Sequence, residues 1–147
     1  MNEKYMMEAI KEAKKSLLSD DVPVGAIIVL NNKIIARGHN MKEKYNDPTK
    51  HAEIVAIKKA TRKLNDWYLK DCIMYVTMEP CLMCAGALIQ SHIKKVVYGA
   101  KNDRFGYVDS IEKILNNKKN NHIIKVEGNI LASESKKLLQ EFFKGKR

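Results

Sequence analysis

Two short stretches of this chain carry side chains that could hold and use a metal ion. In one, His51 and Glu53 lie two residues apart; in the other, Cys81 and Cys84 lie three residues apart, directly after a proline. One imidazole and two thiolates make a three-ligand zinc set, and catalytic zinc sites keep their fourth position for water. The spacing therefore predicts a metal site, with Glu53 available to activate that water.

The geometry of a helix separates the ligands from the acidic residue. Cysteines one helical turn apart point at the same ion, whereas two residues correspond to a rotation of about 200°, which turns Glu53 away from an ion at His51. Taken alone, a CxxC is often a structural zinc half-site or a redox pair, and an HxE is common on helices. Their combination, each at the start of a predicted helix with a predicted strand between them, favours catalysis.

Size and composition limit the possible classes of protein. The chain has 147 residues, which fits one domain with a core over residues 1–147. Its net charge of +10 indicates affinity for polyanions such as nucleic acid. Lysines used simply to solvate surfaces would explain the same excess equally well. An odd number of cysteines, 3, favours a metal site over a disulfide framework, and Cys72 is expected to be a core thiol.

No segment suggests a membrane or secretion. The sequence lacks a run of about 18 apolar residues, so no transmembrane helix and no membrane partner are predicted. Its first residues begin an amphipathic pattern rather than the basic and apolar regions of a signal peptide. We therefore expect a cytoplasmic protein.

Hydrophobic periodicity predicts strands that alternate with helices, in the order α, ββ, α, β, α, β, α, β, α. Asn31 and Asn32 predict the hairpin turn between the first two strands, and Asp47 before Pro48 predicts a capped helix start. This order predicts a three-layer α/β/α architecture with a central mixed five-stranded sheet. The helices are expected at 5–18, 48–64, 81–90, 110–115 and from 133 onward, and the strands at 24–30, 33–37, 73–77, 96–98 and 122–126.

The motifs resemble those of a known family. Residues 47–54 read DPTKHAEI and residues 75–87 read YVTMEPCLMCAGA. They match the H-x-E…P-C-x-x-C signature of the cytidine/deoxycytidylate deaminase superfamily, and they are most similar to bacterial tRNA-specific adenosine deaminases. The likeness runs from residues 22–26 through 38–40 to 138–143, which is most of the chain.

The resemblance implies a single deaminase domain with a cytidine deaminase-like fold. It implies hydrolysis of adenosine to inosine at the wobble position of a tRNA anticodon, by a homodimer with one Zn²⁺ per subunit. Position by position, His51, Cys81 and Cys84 match the zinc ligands, and Glu53 matches the proton shuttle. Asn40 matches a residue that hydrogen-bonds the flipped base, because an amide offers both a donor and an acceptor.

Two regions are assigned to substrate with an alternative left open. Asn102 stands where many family members carry an acidic residue that could accept a ribose 2′-OH; with Asp103 beside it, the loop is expected to touch substrate with altered sugar preference. Ordinary loop drift explains Asn102 as well. Lys144, Lys146 and Arg147 are expected to contact tRNA phosphates, unless they belong to a solvated helix face behind an apolar stripe.

Two other functions fit parts of the pattern. A free-base or nucleoside deaminase acting on guanine, cytosine or cytidine would share the site, although the positive charge favours a nucleic-acid substrate. A non-enzymatic nucleic-acid-binding module with structural zinc would need four protein ligands and no role for Glu53.

Overall fold

The computed structural model describes residues 2–120 and 122–146, which form helices packed on both faces of one sheet. The helices are α1 (Asn2–Lys15), α2 (Lys42–Tyr45), α3 (Ala52–Leu64), α4 (Leu82–Ser91) and α5 (Ala132–Lys144), with 3₁₀ turns at Ser16–Ser19 and Ile114–Asn116. The strands are β1 (Gly25–Leu30), β2 (Lys33–His39), β3 (Ile73–Met78), β4 (Lys95–Ala100) and β5 (Lys125–Glu127). Within the described ranges, we find no helix with the length and apolar character that crossing a membrane requires.

The five strands form one mixed sheet in the order β2-β1-β3-β4-β5, which confirms the predicted architecture. Strand β1 pairs antiparallel with β2 and β3, whereas β3, β4 and β5 run parallel. Asn31 and Asn32 both have positive φ, as the tight hairpin turn between β1 and β2 requires. Because β3 and β4 are parallel, the segments that follow them leave from the same edge of the sheet.

Helices cover both faces of the sheet and make two apolar clusters. Side chains of α1 pack with those of β1, β3 and β4 on one face, where α5 also contacts β4. Helices α3 and α4 cover the other face. Helix α3 lies so close to β2 that a Cβ on Gly38 would meet the Ala52 carbonyl oxygen at 2.6 Å. This close approach fixes the start of α3 against the sheet.

Three predictions about helices were wrong. Helix α3 begins at Ala52 rather than Pro48, because the Asp47 carboxylate accepts from the backbone N–H and hydroxyl of Thr49 and so closes a separate turn. The residues before it are not all loop, since they include the short helix α2. The helix expected at 110–115 is only the 3₁₀ turn Ile114–Asn116, because the preceding residues bond to a buried carboxylate instead.

Candidate active site

Two helix starts bring the three predicted metal ligands together. His51 occupies the cap position of α3, and Cys81 occupies that of α4, one turn before Cys84. His51 Nδ1 lies 3.6 Å from the Sγ atom of each cysteine. Within residues 2–120 and 122–146, these side chains form the one group of at least three His, Cys or carboxylate ligands close enough to share an ion, and Cys72 is buried elsewhere in the core.

The spacing of the three ligand atoms fits zinc. Zn–N bonds of about 2.0–2.1 Å and Zn–S bonds of about 2.3 Å place a nitrogen and a sulfur about 3.6 Å apart in a tetrahedral site. This is the separation that His51 Nδ1 keeps from both sulfur atoms. The donor set therefore fits a tetrahedral zinc with three protein ligands and one further position.

The protonation of these ligands favours binding of a cation. A hydrogen bond from the Cys84 thiol, aided by His51, lowers the pKa of Cys81 to about 4. The hydrogen bond between His51 and Cys81 raises the pKa of His51. The hydrogen bond between Cys84 and Cys81 raises the pKa of Cys84. The Cys81 thiolate is therefore stabilised by protons on His51 and Cys84. A divalent cation that binds all three side chains can replace those protons.

Glu53 lies beside the ligand group without belonging to it. It is in the first turn of α3, 4% exposed, and lines the cavity next to His51 and Cys81. Burial, together with the nearby Cys81 thiolate, raises the pKa of its carboxyl to about 7. A carboxyl group with such a pKa can both accept and return a proton near neutral pH.

A cavity of about 600 Å³ opens over these residues. Strand ends, helix starts and the terminal helix all contribute to its walls. Its lining consists of Val22, Val24, Asn40, Lys42, His51, Ala52, Glu53, Met78, Glu79, Cys81, Asn102, Arg104, Phe105, Leu139 and Phe143. The volume lies within the usual range for small-molecule sites, and apolar walls with a few polar groups are typical of them.

Asn40 is held in one orientation on the cavity wall. Its Nδ2 donates to the Val22 carbonyl oxygen at 3.1 Å, and its Oδ1 accepts from the Lys42 backbone N–H at 3.2 Å. An amide has two N–H donors and two acceptor lone pairs. One donor and one acceptor of Asn40 therefore remain for a ligand in the cavity.

Glu79, the residue before Pro80, is the important residue that sequence reasoning missed. Its carboxylate is 2% exposed and accepts five hydrogen bonds of 2.5–3.1 Å from the loop at 102–110. The donors are the backbone N–H groups of Asn102, Val108, Asp109 and Ser110 and the hydroxyl of Ser110. Burial would raise the pKa of Glu79, but these bonds hold it below its usual value.

Glu79 thereby ties the loop to the segment that carries the cysteines. Gly106 makes a β-bridge with Cys81, and the Tyr107 N–H donates to the Pro80 carbonyl oxygen at 3.0 Å. A Cβ on Gly106 would lie 2.4 Å from the Glu79 carboxyl carbon, so only glycine fits there. The available sequence signal was an acidic residue between a buried strand and Pro80.

The predicted substrate residues of this loop lie in different environments. Asn102 lines the cavity, and its Oδ1 accepts from the Phe105 backbone N–H at 3.1 Å. Asp103 is exposed and outside the cavity lining. Arg104 and Phe105, which the sequence did not single out, both line the cavity.

The terminal helix α5 forms another wall through Leu139 and Phe143. Lys144 is exposed in its last turn, and Lys146 pairs with Asp20 while lying 5.3 Å from the Phe142 ring. Arg147 lies outside the described residues. The two described lysines therefore follow the cavity-lining Phe143 in sequence, but neither of them lines the cavity.

The fold and the His/Cys/Cys group define a deaminase, and the comparisons with known proteins agree. The family model of the MafB19-like deaminases matches residues 1–147. A tRNA-specific adenosine deaminase of Aquifex aeolicus (strain VF5) is 46% identical over 145 residues, covering 98% of this chain and 95% of that protein. A second, from Streptococcus pyogenes serotype M1, is 44% identical over 140 residues, covering 95% of this chain and 82% of that protein.

A solved structure extends the likeness to three dimensions. It comes from biochemical and structural work on A-to-I editing by tRNA:A34 deaminases at the wobble position of transfer RNA. The two chains are 36% identical with a TM-score of 0.88, covering 92% of this chain and 99% of that one. The chain belongs to the tRNA-specific adenosine deaminases, within the MafB19-like deaminase family.

Proposed function

We propose that the protein hydrolyses adenosine to inosine at the wobble position of a tRNA anticodon, with one zinc ion per subunit. The observation that carries this proposal is the buried Glu53 carboxyl beside the His51, Cys81 and Cys84 group, at the wall of a cavity large enough for a nucleoside. Membership of the tRNA-specific adenosine deaminases supports the choice of substrate.

The residues of the site divide the work. Zinc, when bound by His51, Cys81 and Cys84, supplies a Lewis acid that lowers the pKa of a water molecule. Glu53 takes one proton from the attacking water and gives it to the ring nitrogen. It then transfers the second proton, from the hydroxyl group added at C6, to the leaving amine. Water adds at C6 of adenine and ammonia leaves, so the reaction consumes one water and yields inosine.

Asn40 orients the base in this scheme. Its side chain is fixed by Val22 and Lys42, and the remaining N–H and lone pair face a base with both acceptors and donors. A target base in a folded RNA must leave its stack to reach such a pocket. The cost is small in a single-stranded anticodon loop.

Positive charge supports a polyanionic substrate. The chain carries a net charge of +10, and Lys42 and Arg104 line the cavity. Lys144 and Lys146 extend this charge beyond the cavity, and Asp103 offers the loop a further hydrogen-bond acceptor. Arg147, which lies outside the described residues, is expected from the sequence to contact tRNA phosphates as well. Binding of tRNA is expected to weaken steeply with salt, and a shallow dependence would contradict the phosphate contacts.

The Asn102 loop is expected to set sugar preference. A carboxylate on this wall would accept a charge-assisted hydrogen bond from a ribose 2′-OH. The amide oxygen of Asn102 can accept only a neutral hydrogen bond, which is weaker. Replacing Asn102 by Asp is expected to raise the ratio of RNA to DNA deamination by about 3- to 10-fold. Paired activity assays on an RNA and a DNA stem–loop of the same sequence measure this ratio.

A matched control separates sugar recognition from added charge. Asn117 also caps a turn, through its Oδ1 and the Lys119 N–H, but it lies outside the cavity lining. Asn117→Asp should leave the RNA-to-DNA ratio unchanged. If Asn102→Asp leaves it unchanged as well, Asn102 is ordinary loop drift.

We also propose that the enzyme is a cytoplasmic homodimer. Leu82 and Met83, between the two cysteine ligands, are exposed apolar side chains on the first turn of α4. Covering them with a second subunit would remove apolar surface from water beside each active site. Sedimentation at micromolar concentration checks this: twice the mass of one chain supports the dimer, and a monomer overturns it.

Rival functions make different demands on the same site. A structural-zinc module needs a fourth protein ligand, whereas the group at residues 51, 81 and 84 has three within the described chain. A free-base or nucleoside deaminase would release ammonia from guanine, cytosine or cytidine. Measuring ammonia from these compounds and from tRNA under the same conditions tests the proposal, since turnover of the small compounds alone would reverse it.

A further inference from the structure

Phe105 is an exposed aromatic side chain on the wall of the catalytic cavity. It is 63% exposed and lines the cavity together with Phe143 of α5, which is 49% exposed. An exposed phenyl ring gains little from the protein core, so its position is not explained by packing. Exposed aromatic rings on a basic protein are the groups on which unpaired bases stack.

The backbone around Phe105 is held firmly, although its ring is exposed. Its N–H donates to Asn102 Oδ1 at 3.1 Å, and the next residue, Gly106, bridges Cys81. The Gly106 N–H also donates to the Asn102 carbonyl oxygen at 2.8 Å. The loop thus holds the Phe105 backbone in place beside the segment that carries Cys81. A preorganised backbone lowers the entropy cost of ordering on binding.

Arg104 adds a cation to the same wall. It lines the cavity next to Phe105, and a guanidinium suits phosphate oxygens because it donates in a planar fork. An aromatic face beside a phosphate-binding cation matches a nucleotide: a base and the phosphate attached to it. The two side chains lie outside the group at Glu53, so they can receive a nucleotide other than the one that reacts.

We propose that Phe105 stacks on the base adjacent to the target adenosine, while Arg104 contacts the phosphate that joins the two nucleotides. This inference rests on the proposed RNA substrate and adds a subsite for its neighbouring base. It makes Phe105 a specificity-determining residue, since stacking strength differs among bases. A free nucleoside leaves the subsite empty and gains nothing from Phe105.

A double comparison of enzyme and substrate tests the subsite. The substrates are an anticodon stem–loop, the same stem–loop with an abasic nucleotide on either side of the target, and adenosine. Phe105→Ala is expected to lower kcat/KM and affinity for the intact stem–loop by about 5- to 150-fold, which corresponds to the loss of one stacked base. Removing the correct neighbouring base should weaken the wild-type protein equally, with no further loss in Phe105→Ala. Adenosine lacks the neighbouring base, so any loss of activity on adenosine should be much smaller than the loss on the intact stem–loop.

The controls keep each outcome interpretable. Trp67 has nearly the same exposure, 64%. It precedes the first residue of β3, whereas the cavity lies at the carboxyl end of that strand. Trp67→Ala should therefore leave activity on all four substrates unaffected, and Phe105→Tyr should retain wild-type behaviour because it keeps the ring. Phe105→Leu, which keeps apolar bulk, should behave like Phe105→Ala.

Distinct results overturn the two proposals. The subsite is wrong if Phe105→Ala loses as much on both abasic substrates as on the intact stem–loop, or loses nothing on any of them. Failure of the wild-type protein to deaminate any RNA would instead contradict the proposed reaction. Fluorescence anisotropy with the same RNAs still measures the stacking contribution in that case.

Discussion

Glu53→Gln is expected to lower the rate of inosine formation by about 10²- to 10⁴-fold, the usual contribution of general acid–base catalysis. Glutamine keeps the size and hydrogen bonding of the buried side chain, but it cannot take a proton from water. Zinc content and tRNA affinity should stay close to the wild type, because Glu53 lies outside the ligand group. Single-turnover kinetics and metal analysis of the same preparation measure both quantities.

A second glutamate provides the control for this prediction. Glu134 occupies the first turn of α5, as Glu53 occupies the first turn of α3, but it is exposed and outside the cavity. Glu134→Gln should have wild-type rate and zinc content. A Glu53→Gln enzyme within a few-fold of the wild-type rate would remove the proton shuttle from the account, and zinc lost together with activity would make Glu53 a structural residue.

Glu79→Gln is expected to have the largest effect among residues that do not touch the reacting atoms. In the wild-type protein, three backbone N–H groups donate to one carboxylate oxygen of Glu79. In the variant, the amide of glutamine directs its own N–H group at some of these donors, so at least one buried donor loses its partner. Lost bonds of this kind cost roughly 2–4 kcal/mol of the free energy of unfolding, or roughly 10 °C in Tm. The loop at 102–110 should loosen, which raises KM for tRNA more than it lowers kcat.

Amide hydrogen exchange distinguishes positioning of the loop from general damage. The N–H groups of Val108, Asp109 and Ser110 should exchange much faster in Glu79→Gln, while those of α1 should change only with global stability. Glu43→Gln, at an exposed position in α2, should alter neither. Unchanged exchange in the loop, together with an unchanged KM, would contradict the positioning role.

The sequence alone was sufficient to predict the sheet and the meeting of three side chains that could hold a metal ion. His51, Cys81 and Cys84 follow from residue type and spacing, since one helical turn brings two thiolates to one ion. The apolar run of β1 and the Asn31-Asn32 turn similarly require only local information. Both are features in which neighbours in sequence are also neighbours in space.

The features that the sequence did not reveal depend on distant contacts. Glu79 has hydrogen-bond partners 23–31 residues further along the chain, so no local pattern identifies it as the anchor of a loop. Periodicity places Leu139 and Phe143 on an apolar stripe, but it cannot say that the stripe faces a cavity. The start of α3 was misplaced because Asp47 can cap a helix or close a turn, and the two alternatives have the same local signal.

The central claim is that this cavity deaminates the wobble adenosine of tRNA, and sequencing tests it most directly. The zinc-loaded protein is incubated with tRNA that has adenosine at the wobble position, and the RNA is reverse-transcribed and sequenced beside a Glu53→Gln control. We predict that the wobble adenosine is read as guanosine with the wild-type protein and as adenosine with the variant. Persistent adenosine at that position with the wild-type protein, alongside turnover of free guanine, cytosine or cytidine, would contradict the account.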